Sequence, residues 1–349
     1  MTEMLTLETY LDLAMARNAG LRPAGATIRD LAAAGTRIAG ILAQGKLLGA
    51  LSARVGDSLD GDGQKALDVM THDILRAALQ NGQVRDFASE EAEQPEMLDS
   101  AGTLAVAVDP LDGSSNIDTL APVGTIFAIL PAIGAAPFLQ PGRQMLAAGF
   151  LIYGPQTALV LTLGAGTRIF ILHPTRLVFL SAGGDVQVPA QTREYAINGA
   201  NQRHWDPVIA GYIGELMEGT AGPRGVDFNT RWVASMVADA YRILVRGGVY
   251  LYPGDQRRDY GQGRLRLVYE ANPIAMLMEQ AGGAASDGRT PILDIVPTSL
   301  HQRCPLIFGA VDEVARLAAA YAGPRPQDSP LFNRRSLFRH AEQNAERRA

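Results

Sequence analysis

The segment that most limits how this chain can fold is Leu104-Ala105-Val106-Ala107-Val108 followed by Asp109-Pro110-Leu111-Asp112-Gly113-Ser114-Ser115. The apolar run has the character of a buried strand, so the two aspartates fall where that strand ends and the chain turns outward. Open α/β sheets keep their active sites at such strand ends. Two carboxylates three residues apart, followed at once by small residues that admit a phosphate, put candidate metal and phosphate chemistry on one turn.

The flanking patterns supply a layered α/β setting. Ile28, Leu31, Ile38, Ile41, Leu42 and Leu48 recur at helical spacing within 28–55, and Leu67, Met70, Ile74 and Leu79 predict a second helix. Between them the Gly- and Asp-rich stretch 56–63 predicts a loop, with Asp62 and Asp68 around the start of the second helix. Short β-branched and aromatic runs at 124–130, 157–163, 168–172 and 177–180 predict antiparallel strands. Beyond the turn at 182–185, the pattern changes to helices around 206–218, 232–245 and 272–281, with a strand at 249–252. These elements divide into an N-terminal α/β domain over 1–185 and a C-terminal α/β domain over 186–323. Residues 324–349 are Pro-, Arg- and Gln-rich and read as a mobile tail.

Composition narrows the partners. With 349 residues, 47% hydrophobic and 19% charged, the chain can bury a sizeable core. Its net charge of -5 offers no general attraction to nucleic acid or an anionic membrane, so a phosphorylated ligand needs local cations. Cys304 alone permits neither an internal disulfide nor a zinc cluster. Glu3, Glu8 and Asp12 near the start do not form a leader, and no apolar run reaches membrane-spanning length, which points to a cytoplasmic protein.

Acids recur at strand ends. Asp62 and Asp68 bracket a helix start, Glu90 and Glu91 follow the strand-like 84–88, Asp109 and Asp112 follow 104–108, and Glu270 follows 265–269. Taken singly, each reads equally as a helix cap or a solvated charge. Gathered together they would repel, since like charges about 4 Å apart cost about 4 kcal/mol at an effective dielectric of about 20. A hard divalent cation, Mg²⁺ or alternatively Mn²⁺, removes that cost and prefers such oxygen ligands. Gly113, Ser114 and Ser115 would let phosphate oxygens approach backbone N–H groups, with a helix dipole and hydroxyl donors in support.

Positive charge appears later. Arg264-Leu265-Arg266 alternates as a strand would, placing both guanidinium groups on one face, and arginine suits bidentate phosphate contact. Tyr252 and Asn198 are candidate polar contacts. Three competing motifs fail. The P-loop-like 40–47 ends in Leu47 and lies inside a helical pattern, Cys304 lacks the setting of a reactive thiolate, and the five histidines show no metal-ligand spacing.

These residues resemble class I fructose-1,6-bisphosphatase, within the lithium-sensitive, metal-dependent sugar and inositol phosphatases. Asp109 to Gly113 marks the broad superfamily, while Ser114-Ser115-Asn116-Ile117-Asp118 and Val123-Gly124-Thr125-Ile126-Phe127 resemble the fructose bisphosphatase branch. Gly61-Asp62, Leu67-Asp68-Val69, Ser89-Glu90-Glu91, Gln140-Pro141-Gly142-Arg143, Ser235-Met236-Val237-Ala238-Asp239, Tyr269-Glu270 and Asn272-Pro273 follow in family order over most of 60–310. The resemblance implies a layered α-β-α-β-α sugar phosphatase fold and hydrolysis of the 1-phosphate of fructose 1,6-bisphosphate. It implies metal binding by Asp68, Glu90, Glu91, Asp109, the Leu111 carbonyl, Asp112 and Glu270. Asp62, Asp68 and Glu91 would orient and deprotonate the attacking water. Asp112, Gly113, Ser114 and Ser115 would hold the departing phosphate, and Asn198, Tyr252, Arg264 and Arg266 the sugar and its 6-phosphate. Arg231 would reach that phosphate from a neighbouring subunit of a homotetramer.

Departures bear on selectivity. Asn201 and Trp232 stand where animal enzymes of the family have tyrosine, and Arg264 replaces a substrate lysine. Thr103 and Pro131 stand at basic positions of the animal AMP site, and the cysteine-bearing loop of the chloroplast form is missing. Two readings therefore accompany the first: a sedoheptulose 1,7-bisphosphatase or dual-specificity enzyme, and, from another class, a non-catalytic sugar-phosphate sensor.

Overall fold

The computed structural model describes residues 4–48, 54–57, 63–80, 82–258 and 260–323. The predicted tail at 324–349 and Asp62 lie outside the described residues. Among these residues, no helix is long and apolar enough to cross a membrane.

An eight-stranded sheet carries the first half. Its order is Phe179–Ser181, Thr167–Leu172, Thr157–Thr162, Ala147–Tyr153, Val123–Pro131, Leu104–Asp112, Val84–Ser89 and Glu96–Met97. All neighbours are antiparallel except Val84–Ser89 and Leu104–Asp112. The side-chain alternation of its central strands feeds two different cores. Val106, Val108, Phe127 and Ile129 face Ile28, Leu31, Ile38 and Leu75 of helices Arg22–Gln44 and Ala66–Ala78. The intervening Ala105, Ala107, Ile126 and Ala128 face Val237, Ala240, Ile274 and Leu277 of helices Met236–Arg246 and Asn272–Gln280.

Those last two helices also lie under a five-stranded sheet, ordered Asn229–Thr230, Glu194–Ile197, Val249–Tyr252, Leu306–Gly309 and Ala284–Ser286. Its other face packs Leu251 and Ile307 against Ile209, Ile213, Val314 and Leu317 of helices Pro207–Glu218 and Val311–Ala322. The result is five alternating layers, helix, sheet, helix, sheet, helix, each apolar face covered by the next.

Several boundaries differ from the sequence reading for local reasons. The first predicted helix spans Arg22–Gln44, closes at Gly45, and gives way to a short strand at Arg54–Asp57, so residues 54 and 55 are not helical. That strand pairs with Gly63–Lys65, which places both ends of the expected 56–63 loop in a hairpin; residues 58–62 lie outside the description. The strand expected from 177 starts at Phe179, because Leu177 has a φ of 52°. The helix expected from 232 starts at Met236, after Arg231 to Ser235 have turned the chain back from the sheet edge. Helix Leu7–Arg17 and strand Ala147–Tyr153 were not anticipated; in the strand, Ala147-Ala148-Gly149 dilutes the β-branched signal.

Candidate active site

The predicted turn does not begin at Asp109. Strand Leu104–Asp112 pairs Asp109 with Ile126 and Asp112 with Gly124, and Pro110 and Leu111 bulge between those pairs. Thr125 holds the bulge by donating its hydroxyl to the Pro110 carbonyl at 2.9 Å, with the Tyr153 hydroxyl 2.9 Å away on its other side. The Leu111 amide donates to Asp109 Oδ1 at 3.0 Å. The strand therefore carries both aspartates, and the bulge turns them into one space.

Gly124 makes room for what holds Asp112. A Cβ there would lie 2.3 Å from the Leu151 carbonyl oxygen and 2.6 Å from Val237 Cγ2. Without it, helix Met236–Arg246 docks its first turn against the sheet, and the Val237 amide and Ser235 hydroxyl donate to Asp112 Oδ2 at 3.0 and 3.3 Å. Asp112 thus caps a helix more than a hundred residues distant in the chain, an interaction invisible to local pattern.

Glu270 arrives from another direction. The 265–269 segment forms a strand only at Leu265–Arg266; Leu267–Ala271 is a π-helical turn running into helix Asn272–Gln280. This turn swings Glu270 back, and its Oε2 accepts from the Arg266 amide at 2.5 Å. Carboxylate oxygens of Asp109, Asp112 and Glu270 all lie within 4.8 Å of one another. Glu90, whose amide donates to the Val108 carbonyl at 3.0 Å, adds a carboxylate from the parallel neighbour and pairs with Arg266 Nη1.

The same site is electrostatically unfavourable for bare carboxylates. Burial pushes Asp109 and Glu270 well above the ordinary range, and the Glu90 charge adds to both. Glu90 is pushed up to about 6 by burial, against the pull of Arg266. Asp112 is also pushed to about 6 by burial, despite the N–H groups of Val237 and Met236 and the Ser235 hydroxyl. Asp239, buried near Asp112, rises to about 7 for the same reason, although the Val233 amide contacts both its oxygens at 3.3 Å. A crowd of hard oxygen donors that resist ionisation together fits a divalent cation such as Mg²⁺ or Mn²⁺.

Two other predicted acids lie in neighbouring elements. Asp68 is buried in the first turn of helix Ala66–Ala78, which packs on strand Leu104–Asp112, and Glu91 is half-buried beyond Glu90. Two histidines with no evident role in the sequence brace the Glu90–Glu91 segment. His72 Nδ1 lies 2.9 Å from Ser89 Oγ, and His301 Nε2 lies 3.0 Å from the Ala92 carbonyl oxygen. Thr125, Ser235 and Val237 likewise carry no sequence signal beyond membership of the family-like motifs, and Tyr153 lies in none of them.

Gly113 follows Asp112 at a φ of 75°, and a Cβ there would come within 3.1 Å of Ser235 Cβ. Ser114–Thr119 is a single 3₁₀ segment, so the expected support from an α-helix dipole is replaced by a tight turn. Asn116 Nδ2 ties this turn to the Ala234 carbonyl at 2.8 Å. Ser114 is half-buried and Ser115 exposed.

The candidate sugar side is assembled only in part. Asn198 and Tyr252 end the parallel neighbours Glu194–Ile197 and Val249–Tyr252 and share a pocket with Asn201 and Asp255. The two arginines expected on one strand face have different surroundings. Arg264 is exposed, with its guanidinium 4.8 Å from the Tyr260 ring, whereas Arg266 is buried against Glu90. Arg231 is exposed beside edge strand Asn229–Thr230, with Nη1 on the Thr230 carbonyl, and it does not line the Asn198 pocket. Trp232 stacks on Tyr250 at 5.6 Å. Cys304 is buried and its thiol is pushed upward by burial, the opposite of a reactive thiolate.

Residues 34–182 match the family model described as fructose-1-6-bisphosphatase, N-terminal domain, and residues 188–322 match its C-terminal domain. A fructose-1,6-bisphosphatase class 1 from Acidiphilium cryptum is 59% identical over 99% of both chains. The chain belongs to the fructose-1,6-bisphosphatase family. Another class 1 relative, from Rhizobium meliloti, is 50% identical over 96% of this chain and 99% of its own. The crystal structure of Leishmania major fructose-1,6-bisphosphatase in holo form superposes with a TM-score of 0.86 at 31% identity, covering 92% of this chain and all of that one. The five layers described above are thus the α/β sugar phosphatase fold of this family.

Proposed function

We propose that this chain hydrolyses fructose 1,6-bisphosphate to fructose 6-phosphate and orthophosphate. The observation that carries this reading is the continuity of the Asp109–Asp112–Glu270 cluster, within 4.8 Å, with the Gly113 turn that follows it directly. Asp109, Asp112 and Glu270, with the Leu111 carbonyl, Glu90, Glu91 and Asp68, would hold Mg²⁺, or alternatively Mn²⁺. When bound, such a cation neutralises charge on the transferring phosphoryl group and lowers the pKa of the attacking water.

The protein's own groups supply the remaining work. Asp62, Asp68 and Glu91 orient the water and take its proton, while Gly113, Ser114 and Ser115 receive the departing phosphate on donors. Asn198, Tyr252 and Arg264 bind the sugar and its retained phosphate. Arg266, whose Nη1 pairs with Glu90, joins them. Arg231, exposed at a sheet edge, serves a neighbouring subunit of a homotetramer. A cytoplasmic location and a domain division near residue 185 belong to the same proposal.

Phosphate release from purified fructose 1,6-bisphosphate and sedoheptulose 1,7-bisphosphate, with Mg²⁺, Mn²⁺ or EDTA, tests this. Cation-dependent release favouring the six-carbon substrate is expected. A clear preference for the seven-carbon sugar would reassign the substrate, and no cation-dependent release at high protein concentration would favour the sensor.

A further inference from the structure

We propose that the chain carries a second anion site, separate from the candidate active site, that takes a small, multiply charged phosphate ester. It is a cavity of about 500 Å³. Its walls are the segment entering strand Glu194–Ile197, the 224–228 segment, the last residue of helix Met236–Arg246 and the first turns of helix Val311–Ala322. Asn198 leaves the opposite end of the same strand, so the cavity and the candidate sugar pocket lie at opposite ends of the five-stranded sheet.

The cavity gathers positive charge without neutralising it. Arg193, Arg246 and Arg316 line it and are exposed, and none of their guanidinium groups has a hydrogen-bond or ion-pair partner among the described residues. Arg224 lies in its wall with its side chain only 7% exposed, 4.7 Å from the Phe228 ring. Its Nη2 is paired with Glu313, but its Nη1 is buried with no partner. The carboxylates at the cavity are mostly engaged. Glu194 accepts from Arg242 at 2.8 and 2.9 Å, and Glu313 is shared between Arg224 and the Tyr212 hydroxyl. Only Asp312 remains outside such a pair, against three unpaired guanidinium groups.

On a chain of net charge -5, three mutually repelling cations around one hollow constitute a focused positive potential. Guanidinium forks match phosphate oxygens and hold their charge at every accessible pH. The hollow is larger than orthophosphate needs and lies in the usual size range of pockets for small organic ligands. Together these features select an organic phosphate over a neutral sugar or a bare monovalent anion.

The test is calorimetric titration of pyrophosphate into the full-length chain in metal-free, low-salt buffer. We expect one equivalent bound per chain and at least about a tenfold weakening in Arg246→Ala/Arg316→Ala, the scale of lost charge-assisted hydrogen bonds. Arg264→Ala, at the candidate sugar side, should retain wild-type affinity. Absence of binding, unchanged binding in the double variant, or loss of binding in Arg264→Ala would each overturn the proposal. If the double variant melts below wild type, Arg193→Ala alone decides, with weaker binding supporting the site and unchanged binding rejecting it.

Discussion

The acidic and cationic sides of the candidate active site are built by different means. Asp109, Asp112 and Glu270 are pinned by backbone: a bulge held by Thr125, the first turn of helix Met236–Arg246, and a π-helical turn. Arg231 and Arg264 are exposed: Arg231 touches the Thr230 carbonyl and lies 3.8 Å from Glu194, and Arg264 lies over the Tyr260 ring. Carboxylates that must meet within 4.8 Å need such preorganisation, because repulsion would otherwise spread them apart. Long cationic side chains can reach a substrate from a looser start. The acidic side should therefore govern turnover, and the cationic side affinity and choice of sugar.

The hardest test of that contrast is Asp112→Asn, expected to lower kcat by about a thousandfold or more while the circular dichroism spectrum stays unchanged. Glu91→Gln, farther from the cluster, should cost about a hundredfold. Near wild-type steady-state rates in either variant would remove the acids from the mechanism. A smaller effect concerns how the acids are held. Gly124→Ala forces a Cβ into the Leu151 carbonyl and Val237, and urea unfolding should show a loss of about 2–3 kcal/mol, with activity falling beyond it because Asp112 loses the Val237 and Ser235 donors that hold it. An unchanged midpoint would mean the helix does not need this approach.

Cation binding should relieve the repulsion directly. Mg²⁺ at about a hundred times its Kd should stabilise the wild type by about 2.7 kcal/mol, seen as a higher melting temperature, and should stabilise Asp112→Asn much less. Equal shifts in both would place the cation elsewhere. The smallest effect is expected on the opposite side: Arg264→Ala should raise KM for fructose 1,6-bisphosphate about tenfold with kcat within about threefold of wild type. If kcat collapses instead, the division between the two sides fails.

Legibility followed the range of the interactions. Leu104 to Val108 reads as a buried strand because every side chain in it is apolar, and the strand is there. Val249 to Tyr252 likewise coincides with its strand. The Arg264-Leu265-Arg266 alternation falls on the strand Leu265–Arg266, but it carried no sign that Arg266 is buried against Glu90 while Arg264 is exposed. His72 and His301 carried no local pattern, since what gives them roles is a serine hydroxyl and a carbonyl supplied by a distant segment.

The sequence by itself determined the chemical kind of the turn from Asp109 to Ser115, because two carboxylates and small residues on seven consecutive positions stay together in any fold. It also determined the family, through motifs whose order survives along the chain. Only the tertiary structure decided which acids meet, that Asp112 caps a helix from the second half, and that Arg266 is held by Glu90, 176 positions away. The reason is physical: strand and turn formation depend on near neighbours, whereas the position and ionisation of a buried carboxylate depend on every charge and dipole that packing brings to it.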